Sequence, residues 1–404
     1  MPPLVSEEIN DYLISGKISS TWVDGVIIVG AGPSGLATAA CLQEKGVKSV
    51  ILEKSDCIAS LWQNRTYDRL HLHTPKKFCG LPLLPIPDSV PTYPTRQQFV
   101  EYVKEYARHF DIKPRFGELV QSASFDETSK VWRVQSTNKS KSLASQKVEY
   151  VGKWLVVATG ENADDRIPEL PGLQSYRGRL IHSSRYKNGA DYEGDKVLVV
   201  GSGNSGMEIA LDLSNFNAKP SIVVRSPVHV LPREVFGRAT YAVAMALMKR
   251  VPLWFADRLL VLYSYFIIGN TAKYGIKRPK NGPLAMKEHL GRTPVLDVGT
   301  FAKIKSGGIK VMPAIESLTT SGARFVDGRC QIYDAIILAT GYKCNVPSWL
   351  KGEDEVFSDD GFPKCGWKGR RGLYVAGLSK KGLLGCAQDA RLIAEDIKKA
   401  YISG

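Results

Sequence analysis

Two glycine-rich hexapeptides, Gly30-Ala31-Gly32-Pro33-Ser34-Gly35 and Gly201-Ser202-Gly203-Asn204-Ser205-Gly206, carry the clearest chemistry in this chain. Without Cβ atoms a loop can approach a pyrophosphate closely, and the helix that follows turns its unpaired N–H groups and positive dipole end toward the phosphates. Two such sites in one polypeptide suggest that electrons pass from one nucleotide to the other. The strand after each loop ends differently. Val50-Ile51-Leu52 ends in Glu53, placed 23 residues after Gly30 to accept hydrogen bonds from ribose hydroxyls, with Lys54 and Trp62 as further candidate contacts of this first site. Ser221-Ile222-Val223-Val224 ends in Arg225-Ser226. A guanidinium in place of the acid matches a 2′-phosphate and favours NADPH over NADH, with Arg233 as a helper; an ordinary surface arginine at a strand end is the competing reading.

The elements needed to hold these loops are legible. Val26-Ile27-Ile28-Val29 and Lys196-Val197-Leu198-Val199-Val200 are short apolar runs suited to buried parallel strands, and the residues after each loop suit helices. Trp154-Leu155-Val156-Val157-Ala158-Thr159-Gly160 is nearly copied at Ile336-Ile337-Leu338-Ala339-Thr340-Gly341, which brings small residues to the carboxyl edge of a sheet. The expected fold class is α/β, with two Rossmann-like dinucleotide-binding domains and the second inserted into the first. Residues 1–190 open the FAD-binding domain, 191–330 form the NADPH-binding domain, and 331–404 return to the first. Between Ile58 and Pro94, six prolines exclude regular helix or central strand, and a long irregular segment inside an enzyme is usually functional. Thr95 is placed to cap a helix running to about Phe110, Ser136–Gln146 reads as a polar loop, and a C-terminal helix is expected from about Ala387 to Tyr401.

Length fits two or three domains, and 44% hydrophobic residues allow ample burial. The net charge of +14 is spread along the chain, which suits anionic cofactors, an acidic substrate or weak contact with a membrane surface and lacks the basic stripe of a nucleic-acid binder. Seven cysteines show no CxxC pair and no metal-ligand spacing with the six histidines, so no metal is expected and dithiol flavin reductases are disfavoured. With no evident signal or transit peptide, the expected location is cytoplasmic, peripheral attachment at the endoplasmic reticulum being the alternative. The most lipid-like run, Leu259 to Gly269, is too short to span and reads as a buried or pocket-covering helix in preference to a membrane contact.

Between the two loops stands Tyr176-Arg177-Gly178-Arg179-Leu180-Ile181-His182-Ser183-Ser184-Arg185-Tyr186, which resembles the F-x-G-x-x-x-H-x-x-x-[FY] identifying sequence of flavin-containing monooxygenases. Ser60-Leu61-Trp62-Gln63, Gly291-Arg292-Thr293-Pro294-Val295-Leu296-Asp297 and Gly382-Leu383-Leu384-Gly385 make the chain most similar to the plant YUCCA family of auxin synthesis. The resemblance implies that Gly30 to Gly35 and Glu53 hold FAD, that Gly201 to Gly206 hold NADPH, and that Arg225 contacts its 2′-phosphate. It also implies hydride transfer from NADPH to FAD, reaction of O₂ at flavin C4a, and conversion of indole-3-pyruvate to indole-3-acetate with loss of CO₂. No side chain is singled out as catalytic. His182 reads as a packing residue of the linker. Two positions depart from the family pattern: Tyr176 adds a hydroxyl to the usual Phe, and Pro75 in His73-Thr74-Pro75-Lys76 cannot supply the amide of the Thr-Asn pair found in animal-type enzymes. An indole pocket is expected from Phe78 to Pro94 and Leu259 to Ile268, with Lys380 and Lys381 as candidates for the substrate carboxylate. Nitrogen, sulfur or Baeyer–Villiger oxygenation, an uncoupled NADPH oxidase or reductase, and a nucleotide-sensing protein without activity are the competing functions.

Overall fold

Each glycine loop leaves the central part of its own parallel sheet. The computed structural model describes residues 19–138, 146–364 and 366–403. In the first sheet the spatial order is Leu373–Val375, Trp154–Val157, Val26–Val29 and Ser49–Leu52, all parallel. Val26–Val29 is buried throughout because it is covered on both faces. Alternation sends Val26 and Ile28 toward the helices Pro33–Glu44 and Gly382–Ser403, where they join Leu36, Ile393 and Ile397. Ile27 and Val29 point the other way, against Trp132 and Tyr150 of an antiparallel layer. That layer comprises Glu118–Asp126, Val131–Asn138 and Gln146–Gly152, with Ser19–Trp22 added parallel to the last. The strands therefore take both ends of the expected Ser136–Gln146 loop, and residues 139–145 lie outside the described residues.

The second sheet runs Lys310–Met312, Lys219–Val223, Lys196–Val200, Ala335–Leu338 and Arg179–His182. The second Ala-Thr-Gly strand thus pairs with Val197–Val200, not with the first sheet. The lobe built on this sheet reaches from Arg179 to Leu338, past both expected boundaries, and the chain rejoins the first sheet only at Leu373–Val375. An apolar run states a demand for burial without naming the sheet that supplies it. The repetition has a local cause: each Ala-Thr-Gly strand flanks the strand that feeds a glycine loop, and its alanine carbonyl closes on the first glycine of that loop.

The Pro-rich segment is irregular apart from the short helix Ser60–Asn64 and a 3₁₀ turn at Lys76–Phe78. Side chains satisfy its backbone. Lys76 Nζ donates to the carbonyls of Pro87, Asp88 and Val90 at 3.0, 2.9 and 2.7 Å. Tyr102 Oη accepts from Leu81 N–H and donates to Leu84 O, both at 2.7 Å. Tyr102 lies on the helix Arg96–His109, which starts with a capping box between Thr95 and Gln98.

Three helices, Thr240–Met248, Leu253–Ile268 and Pro283–Leu290, form a small satellite core of Ala244, Ala256, Leu260 and Leu284 on the second lobe. The apolar run at Leu259–Gly269 belongs to the second of these and is not a buried helix. Its inner face, Ala256, Leu260, Ser264 and Ile268, is buried at a four-residue spacing, while Trp254, Leu262, Phe266 and Ile267 are more than half exposed. No helix among the described residues is long and apolar enough to cross a membrane.

Candidate active site

The three glycines of each loop do different work, and the two loops agree position by position. Gly30 and Gly201 have φ of 110° and 122°, and a Cβ there would lie 2.5 and 2.3 Å from the carbonyl oxygens of Ala158 and Ala339. At Gly35 and Gly206 a Cβ would meet the carbonyl oxygen of Gly30 or Gly201 at 2.0 Å, so these glycines seat helix on loop. Gly32 and Gly203 are unlike the others. Their φ of −76° and −77° is open to any residue, and a Cβ would find nothing within 4 Å. The protein itself gives no reason for glycine there; a phosphate lying over the helix N-terminus does.

Gly30, Gly32, Pro33 and Ser34 line a deep cleft together with Glu53, Lys54 and Trp62. Glu53 is 6% exposed and accepts Ala31 N–H at 2.8 Å on one oxygen and Ser55 N–H at 2.9 Å on the other. Ala31 is fully buried with its N–H donated to Glu53, and the Ser34 hydroxyl donates to Cys386 Sγ at 3.0 Å, so Ser34 meets the cleft at the helix N-terminus with its side chain engaged within the protein. The far end of the cleft is built by residues that the sequence did not single out as ligands: Arg65, Thr159, Glu161, Asn345 and Trp349. Thr159 Oγ1 and Asn345 Oδ1 are buried there without a hydrogen-bond partner. An open cradle at Gly32, a buried carboxylate at Glu53 and two orphaned polar atoms beyond it fit a long dinucleotide such as FAD. Arg65, with Nη1 on Ala163 O at 2.6 Å and Nη2 on Asp165 at 2.5 Å, braces one wall.

At the second loop, the Asn204 side chain is engaged within the protein. Its Oδ1 accepts Leu296 N–H at 2.9 Å, which ties the Gly-Arg-Thr-Pro-Val-Leu-Asp run to the loop. Ser202 is partly exposed and Ser205 exposed. Arg225 and Ser226 are exposed beyond the strand Lys219–Val223, and Arg225 has no ion pair among the described residues. The Arg233 guanidinium lies 4.3 Å from the ring centroid of Tyr93. There it faces a buried cluster where the lobes meet. His73 Nε2 lies 3.3 Å from Oε1 of Glu208, and Arg69 Nε lies 4.0 Å from the other oxygen. Burial pushes Glu208 up to about 7, against the opposing pull of Arg69 and Arg233. Burial pushes His73 down to about 4, helped by Arg233. The contact near neutral pH therefore joins an uncharged imidazole to a carboxyl poised between its two forms. Tyr67 Oη and Arg69 Nη1, buried without hydrogen-bond partners, lie in the same cluster.

A smaller cavity of about 220 Å³ opens between the lobes, walled by Thr74 and Phe78, by Tyr241 and Thr293 of the second lobe, and by Leu383 and Leu384. Glu161 lines both this cavity and the cleft, so the two share a wall. Phe78 belongs to the expected pocket, but Leu259–Ile268 do not reach it, because that helix turns its free face outward. The helix Gly382–Ser403 starts five residues earlier than expected, which brings its first turn to the cavity; Gly385 is needed there because a Cβ would lie 2.3 Å from Ser379 Oγ.

A family model described as flavin-binding monooxygenase-like matches residues 24–356. The chain belongs to the flavin-binding monooxygenase-like family. Among curated relatives, Probable indole-3-pyruvate monooxygenase YUCCA9 of Arabidopsis thaliana is 54% identical over 94% of this chain and 90% of its own length. Indole-3-pyruvate monooxygenase YUCCA6 of Arabidopsis thaliana is 54% identical over 94% and 91%, and Indole-3-pyruvate monooxygenase YUCCA1 of Oryza sativa subsp. japonica 52% over 93% and 92%. Of solved structures, a flavin-containing monooxygenase from Stenotrophomonas maltophilia is 21% identical with a TM-score of 0.69, covering 95% of this chain and 100% of that one. An oxidized steroid monooxygenase bound to NADP is 18% identical with a TM-score of 0.74, covering 95% and 86%. At these identities the likeness is one of fold.

In this monooxygenase-family chain the linker motif is architectural at every marked position. Tyr176 donates its hydroxyl to Tyr333 O at 2.7 Å, and a Cβ at Gly178 would lie 2.2 Å from that hydroxyl. His182 is 4% exposed; Nε2 donates to Gly341 O at 3.0 Å and Nδ1 accepts Ser184 N–H at 3.2 Å, leaving no ring nitrogen for a substrate. Tyr186 donates to Asp212 at 2.7 Å. The thiols are equally quiet: burial pushes Cys41, Cys79 and Cys386 up to about 11. Cys365 lies outside the described residues.

Proposed function

We propose that this chain is an NADPH-dependent FAD monooxygenase that converts indole-3-pyruvate, NADPH, H⁺ and O₂ into indole-3-acetate, CO₂, NADP⁺ and water. The observation that carries this reading is identity of 52 to 54% over more than nine tenths of the chain to proteins named for indole-3-pyruvate oxygenation. Bound FAD, reduced by NADPH, supplies the activation of O₂. The protein holds and shields. Gly32 and Glu53 fix the flavin dinucleotide, Gly203 and Arg225 the nicotinamide one, and the cavity beyond Glu161 receives the substrate against Phe78 and Tyr241. The test is stoichiometry: purified yellow protein given indole-3-pyruvate should form indole-3-acetate in a one-to-one ratio with NADPH and O₂ consumed. Hydrogen peroxide as the main product would identify an uncoupled oxidase instead.

The exposed face of Leu253–Ile268, close in sequence to Lys249, Arg250 and Arg258, supports a cytoplasmic protein that makes weak peripheral contact with the endoplasmic reticulum surface. Flotation with anionic vesicles, lost in Phe266→Glu, tests that contact.

A further inference from the structure

The cavity beyond Glu161 holds a cation that pairs with no acid among the described residues. Lys287 lines that cavity from the helix Pro283–Leu290. Asp257 braces the helix from behind by accepting Leu284 N–H at 2.7 Å and Ala285 N–H at 3.2 Å. The Lys287 ammonium lies 5.1 Å from the centroid of Tyr241, whose ring meets Phe78 edge to face at 5.0 Å. No carboxylate among the described residues pairs with Lys287, and burial alone lowers its pKa. The two other lysines of the cavity are unlike it. Lys380 and Lys381 are exposed, and the Lys380 ammonium is already 4.0 Å over the ring of Phe362.

A partly desolvated ammonium supported by one aromatic face is an incomplete site, because cation–π attraction returns only part of the lost hydration. A carboxylate would complete it. Glu161, on the wall shared with the cleft, accepts Lys380 N–H at 2.7 Å and forms no ion pair with Lys287 among the described residues, so the ammonium is left for a carboxylate in the cavity.

We propose that Lys287 is the carboxylate anchor of the substrate cavity, selecting aromatic 2-oxo acids whose rings pack on Phe78 and Tyr241. This deepens the indole-3-pyruvate reading and rests on it.

The experiment titrates oxidised holoenzyme, without NADPH, with indole-3-pyruvate and with its uncharged methyl ester, following the flavin absorbance. Wild type should prefer the acid. Lys287→Gln should weaken acid binding roughly 10- to 100-fold, the loss of one charge-assisted contact, and ester binding less than about 3-fold, while Lys287→Arg keeps most of the preference. Lys287→Met preserves the stem against Tyr241 if Gln disturbs the helix, and FAD bound per chain reports an intact fold. Wild type that binds acid and ester alike, or a Lys287→Gln protein that keeps the preference, overturns the anchor. A preference that depends on Lys287, in an enzyme that forms no indole-3-acetate with NADPH and O₂, supports the anchor and removes the proposed reaction.

Discussion

The two glycine loops are near superimposable in their demands on the backbone, yet the residues around them diverge at two places. At the end of the next strand the first lobe has Glu53, buried and doubly hydrogen-bonded, where the second has Arg225, exposed and without an ion pair. Two positions past the third glycine the first lobe has the buried Ala37, and the second the buried acid Glu208. The two copies thus differ in the charge at the strand end, and at the helix position only one of them buries an acid. On the proposed reading, Gly32 and Gly203 report that a nucleotide binds, while Glu53 and Arg225 report which one.

The sharpest break in the comparison is Gly32→Ala against Gly203→Ala. Neither methyl meets protein. Gly32→Ala should give a folded but colourless protein, read by visible spectrum and circular dichroism, whereas Gly203→Ala should stay yellow with a KM for NADPH raised roughly 100-fold or more by crowding the phosphates. Arg225→Ala should raise the KM for NADPH roughly 10- to 100-fold and leave that for NADH within about 2-fold; equal effects on both coenzymes would remove Arg225 from the 2′-phosphate.

Glu208 tests the second difference through pH. Its carboxyl sits at about 7 in the folded chain against an ordinary 4.5, so the folded state holds a proton that the unfolded state releases between those values, and stability falls as pH rises through that window. Glu208→Gln should therefore be more stable than wild type by up to about 3 kcal/mol at pH 8 and by nothing at pH 4 in chemical denaturation. His73, held near 4, has the opposite sign: its folded state rejects a proton, and stability rises with pH between about 4 and 6.5 in both proteins. The smallest effect belongs to Tyr176→Phe, which restores the usual motif residue and loses the bond to Tyr333 O, at a cost of about 1 kcal/mol.

What could be read from the sequence was local. Glycine loops, the Thr95 capping box and the apolar strands each announce themselves within a few residues. What could not be read was allegiance. Ala335–Leu338 looks the same whichever sheet it joins, and only long-range parallel pairing assigns it to Val197–Val200. The run at Leu259–Gly269 stated how much apolar surface it carries but not which face is covered. Asn204 looks the same in sequence whether its side chain faces a ligand or, as here, accepts Leu296 N–H. The cavity walls come from Thr74 and Phe78, Glu161, Tyr241, Lys287 and Thr293, and residues 380–384, segments with no common pattern, so Lys287 had no signal to distinguish it from other basic residues in a chain of net charge +14.

Glu53 clamps Ala31 and Ser55 through hydrogen bonds that lie wholly within the protein. Bonds of this kind are made in folding and need no ligand, so little rotamer or backbone freedom is left at that side chain to be surrendered when an adenosine docks. Stripped protein should consequently take up added flavin without refolding, and should give it back slowly.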